Sequence, residues 1–257
     1  MLFPALSDYY PAVFPAAAFT LDNLRWARAV LDSRELLVRR RGQLVSCLAP
    51  LVDMLNHAPT AHCWHRWFDD EADRLCVELN APVSAGQQIY LSYGPLRTWQ
   101  LLQYYGFVPD DNPYDLIDVV LGDVAALTDA QRRVLAQWDL SPEHLIRAGP
   151  PAPACLAYLR VVAASAAELR KLGARSPLTT VLSAANERQA HTLWRDTLQA
   201  LRDRWRPEVT DNELVRAAAG SGGPLTFRML AVRYRRSQLH LLERALAAAE
   251  AALAALT

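Results

Sequence analysis

The chain has 257 residues and 52% hydrophobic content, enough to pack one large domain or two small ones, which excludes disorder throughout. Its 27 basic and 27 acidic residues cancel, so charge gives no support to attraction of the whole protein to nucleic acid or an anionic membrane. The four cysteines (Cys47, Cys63, Cys76, Cys155) have no CxxC spacing, which argues against both a disulfide scaffold and a cysteine-rich zinc cluster.

No run approaches the roughly 20 apolar residues of a membrane span. The opening MLFPALSDYYPAVFPAAAF carries three prolines and an aspartate but no basic residue, a poor secretory signal. The expectation is an intracellular protein with reduced thiols, in the cytoplasm or nucleus first and an organelle as the alternative. All the basic residues except Lys171 are arginine, a bias that accompanies abundant alanine and reads as composition rather than as a phosphate-binding surface.

In chain order, Leu21 to Leu31 is predicted as a helix capped by Thr20, and Glu35 to Arg39 as a strand. Leu75–Leu79 and Gln87–Tyr93 are predicted as the two strands of a hairpin with a generous loop containing Pro82 and Gly86. A short helix from Thr98 to Tyr105 ends at Gly106, and Leu116–Leu121 is one more strand. Beyond residue 121 the pattern is almost entirely helical. Ser176 and Pro177 read as the start of a long helix to about Trp205, and Thr210 to Glu213 as a capping box. After a break at Ser221–Pro224, Leu225, Met229, Val232, Leu239, Leu242 and Leu246 form a helical stripe. Charge divides at the same place: residues 1–120 carry 9 basic and 14 acidic groups, residues 121–257 carry 18 and 13. Two domains, 1–120 and 121–257, are the economical reading.

Three segments could carry chemistry, and each has a plain structural alternative. Leu48 to His57 sets Asp53, Asn56 and His57 in an apolar run that stops at Pro59; by residues alone it reads as a short helix capped by Asn56. Asp53, among Leu51, Val52, Met54 and Leu55, needs a partner if buried. Ile89 to Pro95 ends a strand on Tyr93, a common packing position. Leu101 to Val108 ends a helix with a glycine between Tyr105 and Phe107, which reads equally as a hydrophobic C-cap. His57, His62, Cys63 and His65 lack a second ligand cluster, so no metal site is expected. No GxSxG, HExxH or P-loop is present.

The order of three motifs changes the weighing: FTLDNLRWARAVLDSR (19–34), then LAPLVDMLNH (48–57), then GQQIYLSYGPLRTWQLLQYYGFVPDDNPYD (86–115). Together they resemble the C-terminal portion of a SET domain, in the group of the Rubisco large-subunit methyltransferase, whose members methylate lysine or histidine of proteins. The helical half resembles that group's substrate-binding domain, with Asn186-Glu187-Arg188 and Ala231 to Arg236 in the corresponding order. The resemblance implies an α+β fold: a partial SET domain over 1–120, then an all-α substrate-binding domain over 121–257. It implies protein-lysine N-methylation with S-adenosylmethionine as cofactor, a protein partner, no metal, and no direct nucleic-acid or membrane partner. Asn56-His57 matches the family's cofactor-binding motif, Tyr93 its active-site tyrosine, Tyr105 and Phe107 the aromatic lining of the lysine channel and cofactor, and Arg34 and Asp53 polar positions near the substrate. The family's glycine-rich cofactor segment has no counterpart in these residues, so the chain by itself is expected to bind the cofactor weakly or not at all. A protein-binding module that holds no cofactor is the alternative.

Overall fold

The computed structural model describes residues 2–59, 63–172, 175–205 and 226–256, and the side chains of all of these except 2, 3, 63–65 and 124. The predicted capping box at 210–213 and the break at 221–224 lie outside the described residues. The chain divides into two compact units, 1–107 and 108–257. Among the described residues no helix is long and apolar enough to cross a membrane.

The first unit opens with α1 (Leu2–Tyr9) and α2 (Leu21–Arg34). Thr20 starts α2, its hydroxyl accepting the Asn23 N–H at 3.2 Å. The strands β1 (Leu36–Arg40) and β2 (Gln43–Cys47) form an antiparallel hairpin. Its turn takes positive φ at both Arg41 (48°) and Gly42 (78°), the twist that two-residue hairpin loops require. A second sheet has the order β3-β6-β4-β5, built from β3 (Asn56–His57), β4 (Cys63–Asp69), β5 (Arg74–Leu79) and β6 (Tyr90–Leu91).

The predicted hairpin between 75–79 and 87–93 does not form. β5 pairs antiparallel with β4, a tryptophan-rich strand that the sequence pattern does not announce. The connection after β5 carries the chain past β4, so β6 pairs in parallel with β3 and touches β4 at Leu91. β6 is also shorter than predicted, ending two residues before Tyr93. The run 48–57 is not a helix: Val52–Met54 make a single 3-10 turn and Asn56–His57 a strand. Leu51 enters that turn at φ 74°, ψ −45°, a γ-turn geometry rare outside glycine. A single α-turn, α3 (Thr98–Gln100), runs into a π-helical turn, Leu101–Tyr105, which Gly106 ends at φ 76°.

The second unit begins with an antiparallel pair, β7 (Ile117–Val120) and β8 (Glu143–Ile146), of which only β7 is predicted by the sequence pattern. Helices α4 (Asp129–Gln137), α5 (Pro153–Ala163), α6 (Ala166–Leu172), α7 (Ala184–Trp205) and α8 (Phe227–Ala255) follow. α7 starts well beyond Pro177. Ser176 to Thr180 close a separate turn, and Ser183 caps α7 by accepting the Asn186 N–H at 3.0 Å. The core gathers Tyr158 and Val161 of α5, Trp194 and Leu198 of α7 and Leu242, Ala245 and Ala249 of α8. Of the predicted α8 stripe, Val232, Leu242 and Leu246 are buried, Met229 and Leu239 are half-buried, and Leu225 lies outside the described residues; Leu230, Leu241, Ala245 and Ala249 complete the buried face. Alanine at 245 and 249 fits positions where two helices pack closely.

Candidate functional site

A parallel ladder of two residues fixes the centre of the site. Asn56 stands opposite Tyr90 and His57 opposite Leu91. Tyr93 follows two residues beyond Leu91, and its N–H donates to His57 Nδ1 at 3.1 Å. That bond requires a lone pair on Nδ1, so the imidazole is neutral with its proton on Nε2. Burial holds the His57 pKa below its ordinary 6.5, with a backbone hydrogen bond to Leu91 opposing, which agrees with the neutral ring.

The Tyr93 phenol donates to the Leu55 carbonyl at 2.7 Å. Burial raises its pKa, the neighbouring Tyr105 adds to the rise, and Arg34 opposes it. Burial raises Tyr105 as well, against Arg66. Both phenols therefore keep their protons through neutral pH. The rings form a connected wall: Tyr93 to Tyr105 4.6 Å between centroids, His57 to Tyr93 5.1 Å, His57 to Phe107 6.0 Å. Gly106, in the left-handed region, turns the chain between Tyr105 and Phe107, so that both line the same space.

Across from the wall, the Arg34 guanidinium donates to the Asp53 carbonyl at 2.8 Å and lies 3.7 Å from its carboxylate. This supplies the partner that Asp53 needs among apolar neighbours. The last residue of α2 is thereby tied to the Leu51 turn. Arg34, Asp53, Asn56, His57, Tyr93, Tyr105 and Phe107 all line one cleft of about 410 Å³. Asn56 is exposed there, and the aromatic residues are half-buried. Ser33 and Met54 line it too, and sequence reasoning does not single them out. Each is next to a motif residue, the one signal that could have found them. His62 lies outside the described residues, and among those described no three His, Cys, Asp or Glu side chains are grouped to hold a metal.

No family model matches the chain. The ribosomal lysine N-methyltransferase set10 of Schizosaccharomyces pombe is 33% identical over 175 residues, which are 62% of this chain and 31% of that protein. The actin-histidine N-methyltransferases of Danio rerio and Homo sapiens are 32% and 31% identical, covering 60% of this chain and 27% of each relative. Among solved structures, the SET domain of LSMT bound to lysine and AdoHcy matches with a TM-score of 0.61 and 21% identity, over 98% of this chain and 61% of that one. Rubisco LSMT bound to AdoMet matches with a TM-score of 0.59 and 22% identity over the same shares. The chain has the fold of a SET domain of the Rubisco large-subunit methyltransferase type. The chain spans less than a third of the length of the curated relatives it matches. Its helical second unit is part of the same match, which extends over nearly the whole chain.

Proposed function

We propose that this chain takes part in transfer of a methyl group from S-adenosylmethionine to the side-chain amine of a protein lysine, with the cleft of the first unit as the reaction site. The observation that carries the reading is the Tyr93 phenol, set in an aromatic wall with its proton committed to Leu55. Relatives named as lysine and histidine N-methyltransferases support the reaction class.

The cleft suits the cofactor in two respects. Asn56 offers an exposed carboxamide, and His57, Tyr105 and Phe107 offer ring faces to an adenine or to a sulfonium cation. S-adenosylmethionine supplies the methyl group, carried on a positive sulfur. The chain's own side chains do the rest. A lysine amine with a pKa near 10.4 is neutral at pH 7 only at a cost of about 4.6 kcal/mol, and a dry aromatic channel reduces that cost by disfavouring the ammonium. The Tyr93 oxygen, with its hydrogen given to Leu55, accepts an N–H of the amine and so aims the nitrogen's lone pair; the contribution is positioning. Arg34, fixed to Asp53, stands at the edge where a substrate backbone or side chain would pass.

The test is label transfer. The protein carrying this chain is incubated with methyl-tritiated S-adenosylmethionine and peptide arrays containing lysine or histidine, and the modified atom is located by mass spectrometry. Label on a lysine Nζ supports the reading. Label on histidine alone overturns the lysine assignment, and no label on either overturns the reaction.

A further inference from the structure

Tyr93 is held at both ends by one short stretch of chain. Its phenol donates to the Leu55 carbonyl at 2.7 Å and its backbone N–H to His57 Nδ1 at 3.1 Å, so the two acceptors lie two residues apart and flank Asn56. The sheet does not reach that far. The ladder pairs Asn56 with Tyr90 and His57 with Leu91, the Ala58 N–H closes it on the Leu91 carbonyl at 3.3 Å, and Tyr93 follows two residues after the end of β6. A backbone N–H taken out of water needs an acceptor, and where the ladder stops a side chain supplies it.

The His57 ring therefore has two uses, one for its face and one for its edge. The face lines the cleft with Tyr105 and Phe107, whereas the Nδ1 edge meets the Tyr93 backbone. Aromatic neighbours fix the ring, with centroids 5.1 Å away at Tyr93 and 6.0 Å away at Phe107. Nδ1 accepts only while it keeps a lone pair.

We propose that His57 is the positioning residue for Tyr93: its neutral imidazole anchors the Tyr93 backbone, which brings the phenol to Leu55 and aims its oxygen into the cleft, and loss of the Nδ1 lone pair releases the anchor. The effect on rate rests on the methyl-transfer reading given above; the anchor itself does not. Protonation is one way to lose the lone pair. Burial lowers the His57 pKa, and a backbone hydrogen bond to Leu91 opposes this by favouring the charged ring. The protonated ring keeps that partner, while the Tyr93 N–H loses its own. Among the described residues, the titratable and charged groups around the ring are the Tyr93 and Tyr105 phenols, Arg66 beside Tyr105, and Arg34 with Asp53 across the cleft. The tyrosines and arginines do not change charge between pH 5 and 7.

The anchor is measured without cofactor or substrate. In the nitrogen-15-labelled protein carrying this chain, the His57 imidazole nitrogens and the Tyr93 amide are followed by NMR from pH 8 to 5. Both should titrate with one midpoint, below the ordinary 6.5 of histidine, the amide proton moving upfield as its bond is lost. A Tyr93 amide that does not follow His57 overturns the proposal. Methyl transfer is then measured in single turnovers at saturating cofactor, where a weaker ring face shows in affinity and not in rate. For wild type, the logarithm of the rate should fall with a slope of one above the His57 midpoint, from the lysine amine, and approach two below it. His57→Leu should slow the chemical step by about 10-fold or more; His57→Asn, whose Oδ1 takes the place of Nδ1, should regain most of that loss and keep a slope of one throughout. A wild-type rate in His57→Leu, equal losses in both variants, or a slope of two that persists in His57→Asn overturns the proposal. If neither variant folds, the wild-type titration decides. A Tyr93 amide that follows His57 in a protein that transfers no methyl group leaves the anchor standing and the reaction overturned.

Discussion

Tyr93 gives its phenol proton to the Leu55 carbonyl, so toward the cleft its oxygen can only accept. A neutral acceptor holds an amine without adding charge, and burial keeps the phenol neutral by raising its pKa. The sign follows: a raised pKa extends the neutral form to higher pH, so in the proposed reaction the substrate amine, not Tyr93, limits the rate across the neutral range. We expect kcat/KM to climb about tenfold per unit between pH 7 and about 9 as lysine loses its proton, with no fall before about pH 10. A fall between about pH 8 and 9 would mean that a site phenol ionises within the working range. His57 obeys the opposite rule. Its pKa is lowered, so it stays neutral to lower pH and goes on accepting the Tyr93 N–H. The positions of all seven candidate residues are readable from the sequence because their motifs lie in order. Ser33 and Met54 are not, because neither side-chain type signals chemistry.

At the level of elements, local signals are legible and pairing is not. Thr20 caps α2, Gly106 ends the turn at Tyr105, and β7 lies where alternation puts it, since each depends on neighbouring residues. The partner of β5 depends on β4, where Cys63 to Asp69 mix tryptophan, histidine and arginine without a clean alternation, so the pattern points to the next strand-like run instead. The capped appearance of Ser176–Pro177 misleads for a related reason: the cap serves a single turn, and the helix waits for Ser183. Gly106 offers a test at this scale. A Cβ there meets no atom within 4 Å, so the cost of Gly106→Ala is backbone strain alone, about 1 kcal/mol. We expect that loss of stability by chemical denaturation, together with weaker activity, because Tyr105 and Phe107 depend on this turn. Unchanged activity at the lower stability would show that the aromatic wall tolerates a shifted turn.

Across the whole molecule, the division of the chain changes what its charge means. Asp110, Asp111, Asp115 and Asp118 belong to the second unit, so 108–257 carries 18 basic and 17 acidic groups, and 1–107 carries 9 and 10. The imbalance seen between 1–120 and 121–257 therefore does not act as a net charge on the helical unit. That unit is organised around a buried pair. Arg160 donates twice to Glu187, at 2.6 and 2.7 Å, and once to the Pro177 carbonyl, while Asn186 donates to the Arg160 carbonyl. Glu187→Ala should destabilise the unit by about 3–5 kcal/mol, because it strands a buried guanidinium, whereas replacing both partners with apolar residues should cost far less. Additive losses in a double-mutant cycle would contradict this. The bonds from Arg160 lower the Glu187 pKa below its ordinary 4.5, so its contribution is complete above that pH and is lost as pH falls through the folded-state value.

The most direct measurement is single-turnover methyl transfer, with cofactor affinity recorded beside it, for the wild-type protein and Tyr93→Phe. Removing the hydroxyl leaves the ring wall and takes away the proposed acceptor for the amine together with its bond to the Leu55 carbonyl. The expected result is a chemical step slowed by about 100-fold, with cofactor affinity within a few-fold of wild type. A Tyr93→Phe variant that transfers the methyl group at more than half the wild-type rate would make Tyr93 a packing residue and contradict the account of the cleft.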